Sequence, residues 1–72
     1  MALHAGQRVR HWRELKGVSQ LDLATRAKMD NSKLCRIENG EINARAADIE
    51  QLARALDLTM PEFYGALEER AS

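Results

Sequence analysis

Apolar residues recur at spacings of three and four along the whole chain, and β-branched residues are few, so the pattern predicts helices and no strands. Five short helices follow from it. The first runs from about Ala5 to Lys16, with Val9, Trp12 and Leu15 as its apolar stripe. Gly17 stops it, and Lys16 sits near the negative end of the helix dipole. The second starts at Ser19, which forms a capping-box-like pair with Asp22; Leu23, Ala24 and Ala27 make its inner face. The third starts at Asp30 as N-cap, places Leu34 and Ile37 inward and ends at Gly40. The fourth covers roughly Arg45 to Leu56, with Ala46, Ile49, Leu52, Ala53 and Leu56 on one face. The fifth, about residues 59–70, opens at Thr59, tolerates Pro61 in its first turn and completes a Thr-x-x-Glu box with Glu62. The connections are short, so the helices must pack compactly. The expected fold is an all-α bundle of five short helices.

Length and composition narrow this picture. The chain has 72 residues, room for one domain spanning residues 1–72 and not for two. A domain this small buries only roughly 60% of its unfolded surface, so its core is marginal. Cys35 is the single cysteine, which rules out an internal disulfide and fits a reducing compartment. The longest apolar run is Met1–Leu3, too short for a membrane span. His4, Arg8 and Arg10 stand where a secretory signal would be apolar. A cytoplasmic protein is expected.

The formal net charge is zero, with 11 Lys+Arg and 11 Asp+Glu. At face value this argues against a polyanionic partner. The total hides a division. Residues 1–45 hold nine Lys+Arg and five Asp+Glu, a net of +4, whereas residues 46–72 hold two and six, a net of −4. The neutral sum therefore excludes only a uniformly basic, indiscriminate binder.

Ser19 to Gly40 is the informative segment. Two short helices a few residues apart, with small or apolar residues where they must meet, form a helix-turn-helix pattern. Other helical hairpins share that spacing. The flanking residues are more specific. Arg13-Glu14-Leu15-Lys16-Gly17-Val18-Ser19-Gln20 precedes Leu23-Ala24, and Arg36-Ile37-Glu38-Asn39-Gly40 closes the third helix. In combination they resemble the phage-repressor (Cro/CI-like, or XRE) family of DNA-binding domains over about Gly6 to Leu56.

The resemblance implies a five-helix, lambda-repressor-like domain that binds pseudo-palindromic DNA as a two-fold dimer. The third helix would be the recognition helix, with Asn31, Ser32, Lys33 and Arg36 reaching base edges. Their chemistry suits base reading, since Asn pairs with adenine, Arg or Lys with guanine, and Ser is permissive. The plain alternative is a solvated polar helix face. Gln20 matches a phosphate contact at a helix N-terminus, and Asn39, Asn43 and Arg45 match a second backbone-contacting segment. Arg13 and Glu38 match a structural salt bridge between the first and third helices. Two positions depart from the family pattern. Lys28 stands where a glycine usually makes the turn, at a cost of roughly 1–2 kcal/mol for a left-handed residue. Ala44 replaces a proline before the fourth helix.

The remaining candidates have simpler readings. Trp12 is expected in the core, with a partner for its indole N–H. His4 and His11 are seven apart without a carboxylate or cysteine at ligand spacing, so surface positions and no metal are expected. Cys35 is a small filler or an oxidation-sensitive point. No catalytic constellation and no cofactor or small-molecule motif is present, so a non-enzyme is expected. The fifth helix is more apolar than docking requires. Phe63 is expected to close the core, and Met60, Tyr64 and Leu67 to meet a second chain.

The leading expectation is a DNA-binding transcriptional regulator whose partners are double-stranded DNA and a second copy of itself. It has the size of small phage repressors and restriction–modification controller proteins. The alternative is a helical interaction module or an antitoxin that retains the fold.

Overall fold

The structure, a computed structural model, describes residues 4–71, with side chains described to residue 65. Among these residues there are five α-helices and no strand: α1 (Ala5–Leu15), α2 (Gln20–Arg26), α3 (Asn31–Glu38), α4 (Ala46–Ala55) and α5 (Met60–Ala71). The radius of gyration is 11.2 Å, the value expected of a compact chain of this length, about 11 Å.

The core is assembled from every helix. Val9, Leu23, Ala24, Leu34, Leu52, Ala53, Leu56 and Phe63 are almost completely buried together. Helix α3 packs on α1 and α2, while α4 packs on α1, α2 and α5. Two expected inner residues lie outside. Leu15 is 56% exposed, because each step of three residues drifts about 60° around a helix; two such steps carry Leu15 off the face that Val9 defines. Ala46, the first residue of α4, is also exposed.

The helix starts use local side chains. Ser19 Oγ accepts the Asp22 N–H at 3.0 Å. Thr59 and Glu62 form a reciprocal box, with Thr59 N–H donating to Glu62 Oε1 at 2.9 Å and Glu62 N–H to Thr59 Oγ1 at 3.2 Å. Asp30 has the extended N-cap conformation of α3 but its side chain makes no capping hydrogen bond. His4 caps α1 with its ring: Nδ1 accepts the Gln7 N–H, and Gln7 Oε1 accepts the His4 N–H, both at 3.1 Å.

All four helix ends preceding a turn use one device. Gly17, Lys28, Gly40 and Asp57 each adopt a left-handed conformation, with φ of 69°, 55°, 75° and 60°. After α2, for instance, Lys28 N–H donates to Thr25 O at 3.2 Å and Met29 N–H to Ala24 O at 2.9 Å. The other three ends repeat that pair of bonds, which satisfies carbonyls the helix itself leaves open. Lys28 and Asp57 do so without the freedom of glycine.

Two donors on α1 hold α5. Trp12 Nε1 donates to Phe63 O at 3.0 Å and Arg8 Nη1 to Tyr64 O at 2.8 Å. The Arg8 guanidinium also lies 5.3 Å from the centre of the Tyr64 ring. Gly6 determines how closely α1 approaches α3, since a Cβ there would overlap the Ile37 carbonyl.

These two backbone features predict opposite outcomes. Gly6→Ala forces α1 and α3 apart and should cost about 1–3 kcal/mol. Lys28→Gly relieves the left-handed lysine and should gain about 1 kcal/mol. Thermal melting reads both, at about 4–8 °C per kcal/mol for a domain this small.

Candidate nucleic-acid interface

Helices α2 and α3 and the turn through Lys28 form a helix-turn-helix. Leu34, Ile37 and Glu38 turn one side of α3 into the protein. Asn31, Ser32 and Arg36 are exposed, as are Asn39 and, beyond the helix, Asn43 and Arg45. Ser32 and Arg36, four apart, share one helix face. Asn39 Nδ2 donates to Glu41 Oε2 at 3.3 Å. Lys33 is half-buried, and its ammonium pairs with Asp48 Oδ1 at 3.1 Å.

Beneath this face lies a buried ion pair. Arg13 Nε and Nη2 donate to the two oxygens of Glu38 at 2.9 and 3.1 Å. The Glu38 side chain is 2% exposed and that of Arg13 14%. The carboxylate holds the Arg13 proton more firmly than usual: its hydrogen bond outweighs burial, which acts the other way. Arg13 Nη1 also donates to Val18 O at 3.0 Å, and Gln20 Nε2 to Glu38 Oε1 at 3.4 Å. The Arg13–Glu38 pair thus ties the end of α3 to α1, the α1–α2 turn and the start of α2. The Gln20 amide has a second N–H beyond the one directed at Glu38.

Asp48, in the first turn of α4, is a second junction. Burial acts to raise its pKa. The hydrogen bonds from Lys33 and the Arg45 N–H, with both their positive charges, lower it by more, so it lies below its ordinary 3.8. The Arg45 N–H donates to Asp48 Oδ2 at 3.2 Å.

Residues 4–63 match the helix-turn-helix domain family. The chain belongs to that family. Among solved structures it is similar to the restriction-modification controller protein C.AhdI from Aeromonas hydrophila. The two are 38% identical, with a TM-score of 0.77 over 83% of this chain and 91% of the controller. A search of curated proteins finds no match. The family and the fold make this helix-turn-helix protein a DNA-binding regulator. No helix among the described residues is long and apolar enough to cross a membrane.

Of the expected dimer residues, Tyr64 is 37% exposed and stacks edge-on against buried Phe63, 4.9 Å between ring centres. Met60 is partly buried against the core. The Leu67 side chain lies outside the described residues. Cys35 is half-buried, with Asn39 Nδ2 3.6 Å from its sulfur.

Sequence reasoning missed Asp48, Arg8 and Gly6. Asp48 had a legible signal: an acid at the third position of a helix is placed to accept the N-cap N–H. That it would also meet Lys33 fifteen residues away depends on how α3 and α4 pack.

The two ion pairs on α1 should differ sharply in worth. Glu38→Ala leaves the Arg13 charge without its carboxylate and should cost about 3–5 kcal/mol. Glu14→Ala removes an exposed pair with Arg10, at 3.5 Å, worth about 0.3–0.5 kcal/mol. Urea midpoints for the two variants, with Glu38→Gln as the isosteric companion, measure the gap.

Acid should unfold the protein in a defined direction. Asp48 and Glu62 both lie below their ordinary values of 3.8 and 4.5, Glu62 through its hydrogen bonds to Thr59. The folded state therefore binds these protons less readily than the unfolded state. Their contribution is complete above the ordinary carboxylate range and is lost as pH falls through the depressed values. Melting temperature should be flat from neutrality to the top of that range, then decline. Asp48→Asn should make the decline shallower.

Proposed function

We propose that this protein is a sequence-specific transcriptional regulator that binds a pseudo-palindromic operator as a homodimer. In this reading residues 1–72 act as one DNA-binding unit in the cytoplasm. Asn31, Ser32 and Arg36 face base edges in the major groove. Gln20, Asn39, Asn43 and Arg45 contact phosphates, which set register without carrying sequence information. Lys33, the fourth base-contact candidate, is committed to Asp48 in the absence of DNA.

The observation that carries the reading is the exposed polar face of α3 above a buried ion pair. A buried ionic anchor at one end of a short helix fixes its orientation, and base reading requires a fixed orientation. The division of charge supports the same placement. The basic part of the chain holds α2 and α3, and the acidic part holds α4 and α5. Such a dipole turns α3 toward the phosphates and the far side away from them.

Two copies would set their recognition helices one turn of DNA apart, roughly 34–36 Å. Met60, Tyr64 and Leu67 on α5 are the proposed dimer contacts. Likeness to a restriction–modification controller favours that kind of regulator, acting through its own concentration and the arrangement of its operators.

Selection of bound sequences from random DNA tests the reading. A palindromic site should emerge, with a salt slope of about −0.9 per phosphate neutralised. Arg36→Ala should relax preference at one base position in each half-site, and Arg45→Ala should weaken all sequences alike. No enriched sequence, or a monomer in sedimentation at micromolar concentration with and without DNA, would point instead to a helical interaction module or antitoxin.

A further inference from the structure

Three of the four α3 residues suited to base contact are exposed, but Lys33 is not used in the same way. Successive residues on a helix are about 100° apart, which sets Lys33 on the flank of α3, between exposed Ser32 and buried Leu34. Its ammonium reaches across to α4 and meets Asp48 Oδ1 at 3.1 Å. The Asp48 side chain is 12% exposed, against 43% for Lys33, so the carboxylate is the deeper and less replaceable partner. Its other oxygen accepts the Arg45 N–H that opens α4.

We propose that Asp48 is a positioning residue for DNA recognition: it holds Lys33 against α4, masks that charge from the phosphates, and confines base reading on α3 to Asn31, Ser32 and Arg36. The proposal rests on the DNA reading of α3. A phosphate contact by Lys33 would leave Asp48, whose side chain is 12% exposed, with the Arg45 N–H but without its ammonium partner. A carboxylate with little access to water loses most when its partner leaves, which favours retention of the Lys33 pair. Masking one cation lowers affinity for every sequence equally, because phosphate contacts carry no sequence information. The ratio of operator to non-operator binding is then set by Asn31, Ser32 and Arg36, and Lys33 adds no sequence-independent affinity to it. Lys33 is thus a lysine on the recognition helix whose job is to brace α3 against the segment bearing Arg45.

Asp48→Asn is the test, since an Asn oxygen still accepts the Arg45 N–H while the carboxylate charge is removed. Binding is titrated against salt on the selected operator and on a scrambled duplex of equal length. The salt slope should steepen by about 1.8 on both duplexes, the mark of one further phosphate neutralised by each protomer of the dimer at about 0.9 apiece. Affinity for both duplexes should rise several-fold, and the operator-to-scrambled ratio should stay near that of the wild type. Glu50→Gln, which adds the same charge at an exposed position of α4, should leave the slope near that of the wild type. Adding Lys33→Gln to Asp48→Asn should restore the wild-type slope. An Asp48→Asn slope equal to the wild type overturns the masking, and so does loss of preference at one base position without a change of slope. If Asp48→Asn does not fold, Lys33→Gln alone decides the matter. An unchanged slope supports masking, and a slope reduced by about 1.8, about 0.9 for each protomer, overturns it. Arg36→Ala on the same duplexes separates the two levels of failure. If it loses operator preference while the Asp48 result is negative, only the masking falls. If it binds both duplexes as the wild type does, the DNA reading of α3 falls and takes the masking with it.

Discussion

A carboxylate almost sealed from water governs this structure. Glu38 ends α3, yet its oxygens are occupied by Arg13 from α1 and approached by Gln20 from α2. An ion buried to this degree is tolerated only with its partners in place. Any tilt of α3 that kept the apolar contacts but lost the fork of Arg13 would strand a charge. The attraction that brings the apolar side chains together is non-directional; the forked ion pair is directional. That division of labour matters most in a domain whose core is small. It is why the exposed face of α3 has a definite orientation.

Much of this was readable from residue types alone. Helix periodicity, the Ser19 and Thr59 caps and the stops at Gly17 and Gly40 are local signals, set by neighbours a few positions away. Lys28 was legible as a left-handed position only through resemblance to the phage-repressor family, because lysine carries no preference for that conformation. Asp57 takes the same conformation at less strain, since aspartate is one of the few non-glycine residues that visit it. His4 as an N-cap was hidden for a similar reason: histidine is not among the preferred capping residues, although the Gln three positions later offered half of a box.

What periodicity could not supply was the third dimension. Asn31, Ser32 and Arg36 follow from which side of α3 is polar. The engagement of Lys33 follows from where α4 begins relative to α3, a distance that no single-helix pattern encodes. Gly6 reads as an ordinary residue in an ordinary helix until the carbonyl of Ile37 is seen beside it. Arg8, by residue type one more surface cation, is 5% exposed and donates to α5. Long side chains with a polar tip are the hardest to place from sequence, because the stem and the head obey different rules.

The four left-handed helix stops have a consequence for how the chain finds its fold. Each is closed by hydrogen bonds spanning three to five residues, so the place where each helix ends is encoded locally. Folding speed falls as the typical sequence separation of contacts grows. A chain whose helices are all short and each ended locally sits at the fast end of that range, where helical domains assemble in microseconds to milliseconds. The slow search is left to few partners, chiefly α5 settling on Arg8 and Trp12 across more than fifty positions. Helices α2 and α3, of seven and eight residues, are too short to persist alone, so the local stops set where each helix ends while packing on α1 and α4 makes the helix-turn-helix stable.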